Sequence, residues 1–244
     1  MPANHCSQTR PNSTRSAAIE PSGLLNGLFP SGVIAFEARG PVAAAALMPA
    51  EARCVARAVP KRVGEFAAGR ACARAALAAL NIADFALCVG PDREPLWPEG
   101  ITGSITHCAG YCGVVVARTT CVAGLGVDAE RCDAVQRRLW DRITVDAERA
   151  WLEQLPESAA AHMAALIFSA KESFFKCQFP LTRNWLNFSD VSVSIESSQS
   201  FIIQSRADPK LASLPNGPWR GRFVIANDLV VTGIGVQPRA AGAL

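Results

Sequence analysis

Asp128 and Glu130 stand two residues apart in the segment Gly126-Val-Asp128-Ala-Glu130. On an extended chain, residues i and i+2 project from one face, so the two carboxylates would stand side by side at a strand's end. Carboxylate oxygens suit a hard divalent cation such as Mg²⁺, which shares its coordination readily with a substrate's phosphates. The competing reading is two solvated carboxylates paired with Arg131. Further along comes Phe168-Ser-Ala-Lys171-Glu172-Ser-Phe-Phe175-Lys176. Glu172 and Lys176 are four apart and neighbours on a helix, the spacing of an ordinary surface ion pair. Yet the chain has 24 Lys and Arg together, of which only four are Lys, and two of those four bracket Glu172. Lysine is a compact point charge suited to one phosphate oxygen. Phe168 and Phe175 flank Glu172 with an apolar patch, which would raise its pKa toward that of a useful general base.

Two further segments are basic or hydroxyl-bearing. In Lys61-Arg62-…-Glu65-…-Gly69-Arg70-…-Arg74, a turn of about 100° per residue gathers Arg62, Arg70 and Arg74 within about a third of the circumference. Guanidinium forks bind phosphates bidentately, although a solvated basic face would show the same pattern. Gly69 costs about 1 kcal/mol relative to Ala inside a helix, which points to close approach by another backbone or a ligand. The segment Gly103-Ser104-Ile-Thr106-His107-Cys108 reads as a turn ahead of a strand. Its hydroxyls and imidazole suit phosphate hydrogen bonding; a capped turn with a satisfied histidine is the alternative. No G-x-S-x-G elbow surrounds Ser104, which argues against a nucleophilic serine. Gly124-Leu-Gly126-Val-Asp128-Ala129 matches G-x-G-x-x-A, but it reads as strand and would aim Asp128 at a pyrophosphate, so dinucleotide binding is discounted. The four segments together suit metal-assisted chemistry on a polyphosphate.

These groups must be positioned by 244 residues, 50% hydrophobic and 18% charged, enough for one large domain or two small ones with a buried core. No stretch approaches the roughly 18 apolar residues of a membrane span, and the N-terminus lacks an apolar signal core. Nine scattered cysteines without a CxxC pair argue against a zinc framework and read as a reduced, cytoplasmic protein. A net charge of +3 is too small for general nucleic-acid binding. Residues 51–80 carry six Arg/Lys against two acids, a net of +4, while residues 126–200 carry eight against eleven, a net of −3. That asymmetry suits an anionic ligand together with a metal ion.

Residues 1–28 read as a loose tail. Strands are expected at 33–38, 105, 111–117, 122–129, 191–195, 201–204, 219–225 and 230–236. Helices are expected at 50–58, 61–80, 145–155 and 158–177, with 90–104 a loop. Each half runs strand, helices, further strands, which suggests a duplication of about 100 residues per copy and an α+β fold.

These segments together resemble the 4′-phosphopantetheinyl transferases of the Sfp and enterobactin synthetase component D type. The pairing of Gly126–Glu130 with Phe168–Lys176 is that superfamily's signature, and residues 61–77, 92–104 and 103–111 are similar to the enterobactin-type branch. The likeness covers about residues 48–200. It implies the 4′-phosphopantetheinyl transferase fold, two pseudo-symmetric α/β halves in one monomeric chain (29–120 and 121–244) with the active site between them. It implies transfer of the phosphopantetheine arm of coenzyme A to a serine of an apo carrier protein (peptidyl, acyl or polyketide), releasing 3′,5′-ADP, as in siderophore and other secondary metabolism. Asp128, Glu130 and Glu172 match its ligands for Mg²⁺, or Mn²⁺ in its place, and Glu172 also its general base. Lys171 and Lys176 match lysines near the pyrophosphate and the transferring phosphate. Arg62 and Arg70 match coenzyme A phosphate contacts, Ser104, Thr106 and His107 the turn at the nucleotide phosphates, and Arg93 a loop near the nucleotide. Phe175 and its apolar neighbours would supply either carrier contact or core. The rival readings are a Mg²⁺-dependent pyrophosphate or nucleotide hydrolase and a non-catalytic coenzyme A-binding module.

Overall fold

The computed structural model describes residues 18–21, 23–40, 47–108, 110–205 and 219–238. The first half comprises β1 (Ile19–Pro21), β2 (Ile34–Arg39), α1 (Pro49–Cys54), α2 (Pro60–Ala79), β3 (Ile101–Cys108) and β4 (Tyr111–Arg118). A proline opens each helix, where its fixed φ fits and its missing N–H has no partner to lose. The strands form one antiparallel sheet in the order β1-β2-β4-β3. Ala67, Cys72, Ala73 and Ala76 give α2 a small-residue face, so it beds closely on β2 and β4. The unbroken apolar run of β4 serves two cores. Cys112, Val114 and Val116 face α2, and Tyr111, Val115 and Ala117 face the other half.

The second half comprises β5 (Gly124–Arg131), α3 (Trp140–Ile143), α4 (Asp146–Leu152), α5 (Glu157–Thr182), β6 (Val191–Ser197), β7 (Ser200–Ser205), β8 (Trp219–Ala226) and β9 (Leu229–Val236). Its antiparallel sheet runs β5-β9-β8-β7-β6. Each half places helices after a strand and then returns a hairpin beside that strand: β4 pairs β2, and β9 pairs β5. This is the α+β duplication the sequence suggests, with the hairpin β6–β7 added in the second copy. Helix α5 runs past the expected end at 177, through Pro180. The Thr182 hydroxyl donates to the Gln178 carbonyl, the Gln178 amide donates to the Asn184 carbonyl, and Arg183 caps the helix in the left-handed region.

Strand β5 joins the halves. Leu125, Val127 and Ala129 enter a core shared with β4, while Gly124, Gly126, Asp128 and Glu130 alternate onto the other face. A Cβ on Gly126 would stand 1.8 Å from the Ser173 carbonyl oxygen, and one on Gly124 2.8 Å from Leu181. The two glycines that mimic a dinucleotide motif thus form the groove in which α5 lies. Strands β3 and β5 are edge strands of their sheets and face each other. The Val127 N–H donates to Ser104 Oγ at 3.1 Å and the Ala129 N–H to Thr106 Oγ1 at 2.9 Å. Hydroxyls therefore satisfy backbone groups that an open edge would leave unpaired.

Two expectations are corrected. Residues 103–108 are not a turn but part of β3, paired with β4 along its whole length. Not all of 1–28 is a loose tail: Leu25 and Leu28 are buried, and the buried Glu37 carboxylate accepts the Gly23 and Leu25 N–H groups. Residues 1–17 and 22 lie outside the described residues.

Gly126→Ala should destabilise the protein by about 3 kcal/mol or more, because backbone rather than a flexible side chain stands in the way. The urea unfolding midpoint measures it; a midpoint equal to wild type would mean that α5 can shift freely on β5.

Candidate active site

A cleft of about 970 Å³ lies between α2, the loop 89–97 and β3 on one side and α5 on the other. Trp97 lines it, seated against Gly103, where a Cβ would fall 2.7 Å from the indole ring.

One bank is basic. Arg62 donates from Nη1 to His107 Nε2 at 2.7 Å, with Glu65 Oε2 3.6 Å from the guanidinium and 3.2 Å from the ring. Burial and Arg62 hold the imidazole below its usual range, with Glu65 opposing, so the ring is neutral and its nitrogen accepts from Arg62. Arg70 is almost wholly buried. Its Nε donates to the Leu87 carbonyl at 2.7 Å, and its guanidinium lies 3.8 Å from the Phe66 ring centroid. Burial lowers its pKa to about 10 against the pull of Glu51, so it stays charged at neutral pH. Gly69 borders the cleft and also makes room for Ile105, whose side chain would lie 3.2 Å from a Cβ at this position. Arg93 has φ +68° at the tip of the loop and also borders the cleft.

The other bank is acidic with one lysine. Asp128 is buried; its Oδ1 accepts from Lys176 Nζ at 2.6 Å and from Thr106 Oγ1 at 3.4 Å, while its Oδ2 is buried with no partner. Burial pushes the Glu130 carboxyl up to about 7; Asp128 and Glu172 add to the rise and Lys176 opposes it. Burial also raises Glu172, with Lys176 opposing and Asp128 adding. As placed, no three ligating side chains among the described residues stand together as a metal cluster. Lys176 occupies Asp128 Oδ1 and leaves Oδ2 unpartnered. The donor chemistry nonetheless fits a hard divalent cation: three neighbouring carboxylates, two of them (Glu130 and Glu172) raised by burial and by Asp128, and an orphaned buried oxygen. Lys176 and Glu172 border the cleft, and β5 presents Asp128 and Glu130 on the face that meets α5.

Three expected site residues do other work. Lys171 turns away from the cleft into the second core. Its Nζ donates to Glu148 Oε2 at 2.8 Å and to the Ile143 and Phe188 carbonyls, each at 2.9 Å. Glu148 in turn accepts the Val145 and Val193 N–H groups, so the pair pins the α3–α4 corner and β6 to α5. The hydroxyls of Ser104 and Thr106 point at β5; Ser104 still borders the cleft, whereas Thr106 acts on Asp128 from behind. Phe168 packs on Phe188, away from the cleft, but Phe175 faces it. Phe175 continues into Phe179 and Trp185, at centroid distances of 5.3 and 5.4 Å, and Trp185 is 62% exposed. Phe66, Glu94 and Trp97, which lie within segments 61–77 and 92–104 but carry no signal of their own, also line the cleft, as does Arg183, which no motif marks. The Glu94–Arg183 pair is 89 residues apart and has no spacing signal.

Comparison with known proteins finds the same family in both halves. The "4′-phosphopantetheinyl transferase N-terminal domain" family matches residues 50–117, and the "4′-phosphopantetheinyl transferase superfamily" matches residues 124–230. The chain is 39% identical over 195 residues to the 4′-phosphopantetheinyl transferase PptT of Mycobacterium tuberculosis, covering 77% of this chain and 85% of that protein. It is 38% identical over 200 residues to the 4′-phosphopantetheinyl transferase Svp of Streptomyces mobaraensis, covering 81% of each. To enterobactin synthase component D of Escherichia coli it is 40% identical over 92 residues, 36% of this chain and 41% of that protein.

Lys171→Met should cost about 3–5 kcal/mol of stability by leaving the Glu148 charge buried and unpaired, without weakening anion binding by the molecules that remain folded. Urea denaturation and titration with pyrophosphate separate the two effects. Weakened binding by a fully folded variant would return Lys171 to the site.

Proposed function

The chain belongs to the 4′-phosphopantetheinyl transferase superfamily, whose reaction moves the phosphopantetheine arm of coenzyme A to a carrier-protein serine, and we propose that the cleft between α2 and α5 is where this chain carries it out. One observation supports the assignment above the others. A cationic bank (Arg62, Arg70, Arg93, with His107) faces Glu172 and Lys176 across one cleft, and Lys176 connects that bank to the buried Asp128 and to Glu130 behind it, so a single polyphosphate can meet both banks.

In this reading Arg62 and Arg93 hold the nucleotide phosphates. His107, kept neutral by burial and by Arg62, fixes the guanidinium it accepts from. Arg70, with Nε committed to Leu87, offers its remaining N–H groups. Asp128, Glu130 and Glu172 would hold Mg²⁺, or Mn²⁺, which supplies charge neutralisation on the pyrophosphate. Glu172 has a raised pKa and takes the proton of the incoming serine hydroxyl. The serine oxygen then bonds to the phosphorus that carries pantetheine. The bond from that phosphorus to the bridging oxygen breaks, and 3′,5′-ADP leaves with the electron pair. Lys176, poised beside Asp128, meets the charge on the transferring phosphoryl group. Most of the acceleration then comes from holding the two reactants in line in a preorganised charged site. The acceptor is a peptidyl, acyl or polyketide carrier. Carriers are acidic around the modified serine, and exposed Arg53, Arg57 and Lys61 near the cleft would speed the encounter. No described helix is long and apolar enough to cross a membrane.

Incubation of an apo peptidyl carrier protein with the chain, coenzyme A and Mg²⁺ should add the mass of a phosphopantetheine, and EDTA should abolish the gain. Glu172→Gln should lower kcat by roughly 10²–10⁴-fold, the range for loss of a general base. Near-normal turnover of that variant would remove Glu172 from the chemistry. Release of 3′,5′-ADP without carrier modification would replace transfer by hydrolysis.

A further inference from the structure

Two carboxylates, Asp92 and Glu94, border a cleft assigned above to a polyphosphate, where an uncompensated negative charge would repel the ligand. The structure compensates them from the opposite half of the molecule. Glu94 Oε1 accepts from Arg183 Nη1 at 2.7 Å, and Asp92 Oδ2 lies 3.8 Å from the same nitrogen. Glu94 also organises its own loop. Its Oε2 accepts the Asp92 N–H at 3.0 Å, and its carboxylate fills the space beside Gly90, where a Cβ would come within 2.5 Å of it. The backbone completes the same lobe. Gly90 N donates to the Glu94 carbonyl at 2.8 Å, Arg93 N donates to the Gly90 carbonyl at 3.0 Å, and Val89 bridges Pro95. Arg93 is therefore presented from the tip of a loop whose shape Glu94 sets, in a left-handed conformation that a non-glycine residue adopts only when its surroundings impose it.

Arg183 is equally constrained. It is the left-handed cap of α5, its N–H donates to the Phe179 carbonyl at 2.8 Å, and its guanidinium lies 5.5 Å from the Phe179 ring centroid. The ion pair thus ties a rigid helix end in one half to a small loop in the other. It stands seven residues beyond Lys176, about 10 Å along the helix axis, and so away from the groups assigned to the chemical step.

We infer that Arg183 and Glu94 form a latch across the cleft, a positioning pair that sets the loop 89–95 and the Arg93 it carries, and on which affinity for coenzyme A depends. This rests on the reading of the cleft given above. Arg183 works here by holding Glu94 and by cancelling the charge that Asp92 and Glu94 would otherwise show the ligand.

Steady-state kinetics in coenzyme A and hydrogen exchange of the coenzyme-free protein test it with Arg183→Ala, Glu94→Gln, Arg183→Lys and the charge-swapped double variant R183E/E94R. Arg183→Ala should raise KM for coenzyme A about fivefold, the scale of one partly exposed ion pair, and Glu94→Gln should raise it less, because it loosens the loop but also removes a repelling charge, with kcat unchanged in both. Combining them should add little to either alone, since both remove one interaction. Arg183→Lys should keep most of the affinity, and the swapped pair should recover part of it. Amides 90–96 should exchange faster in both single variants before any coenzyme A is added. An unchanged KM, additive single effects, or unchanged exchange at 90–96 in folded variants of an active enzyme would overturn the latch alone. A wild-type chain that neither binds nor turns over coenzyme A would take down the reading of the cleft and the latch with it.

Discussion

Helix α5 lies so close on β5 that the Ser173 carbonyl occupies the space a side chain at position 126 would need. The remaining geometry of the acidic bank depends on this approach. Asp128 and Glu130 continue the face of β5 that Gly124 and Gly126 open, so the strand delivers them toward the helix. With the helix this close, Lys176 reaches both the Val127 carbonyl and the Asp128 carboxylate, and Glu172 is near enough for Asp128 to raise its pKa. A helix held farther off by ordinary side chains would leave these groups too far apart, and too wet, to influence one another.

The second constraint is the seam between β3 and β5. Two sheet edges meet without a ladder, and Ser104 and Thr106 supply the acceptors that the β5 amides lack. The seam is buried and apolar on the side of Leu25, Leu28, Val115 and Val127, and polar where Thr106 meets Asp128. The halves are thereby held in register, and the cleft has two banks that keep a fixed relation. The guanidinium groups left free for an anion lie on α2 and the 89–97 loop, where Asp92 and Glu94 are offset by Arg183, and the clustered carboxylates lie on β5 and α5. A mobile polyanion with its counter-ion is the ligand that both banks would favour together.

Buried glutamates perform a recurring task in this scaffold. Glu37 accepts the N–H groups of Gly23 and Leu25, Glu51 those of Met48 and Leu87, and Glu148 those of Val145 and Val193. Arg74 accompanies Glu51 and Lys171 accompanies Glu148. Each carboxylate anchors a loop that would otherwise leave backbone donors unsatisfied in the interior. Through Glu51 and Arg70, which hold the N–H and the carbonyl of Leu87, this device fixes the stem of the cleft-lining loop.

Periodicity and proline placement located α1, α2, α4, α5 and the strands β2 and β4 to β9, because hydrophobic alternation and chain stereochemistry act between near neighbours; β1, β3 and α3 were not read from them. The two-residue spacing of Asp128 and Glu130 and the four-residue spacing of Glu172 and Lys176 specified shared faces for the same reason. The motif combination carried the family. Where a side chain points when several faces are apolar was a different matter. Lys171 sits beside Glu172 in the chain yet belongs to the opposite core, since Glu148 and two carbonyls wait there. Ser104 and Thr106 had the chemistry to bind phosphate, and an unpaired strand edge claims their hydroxyls instead. Gly124 and Gly126 looked like a nucleotide motif, and a helix fills their groove. The Arg183–Glu94 contact has no local trace at all. The sequence alone determined most of the elements, the family and the chemical types of the candidate groups, all set by local spacing. Which partner each long polar side chain takes was decided only by tertiary packing, because burial leaves each donor and acceptor the few partners that folding brings within reach.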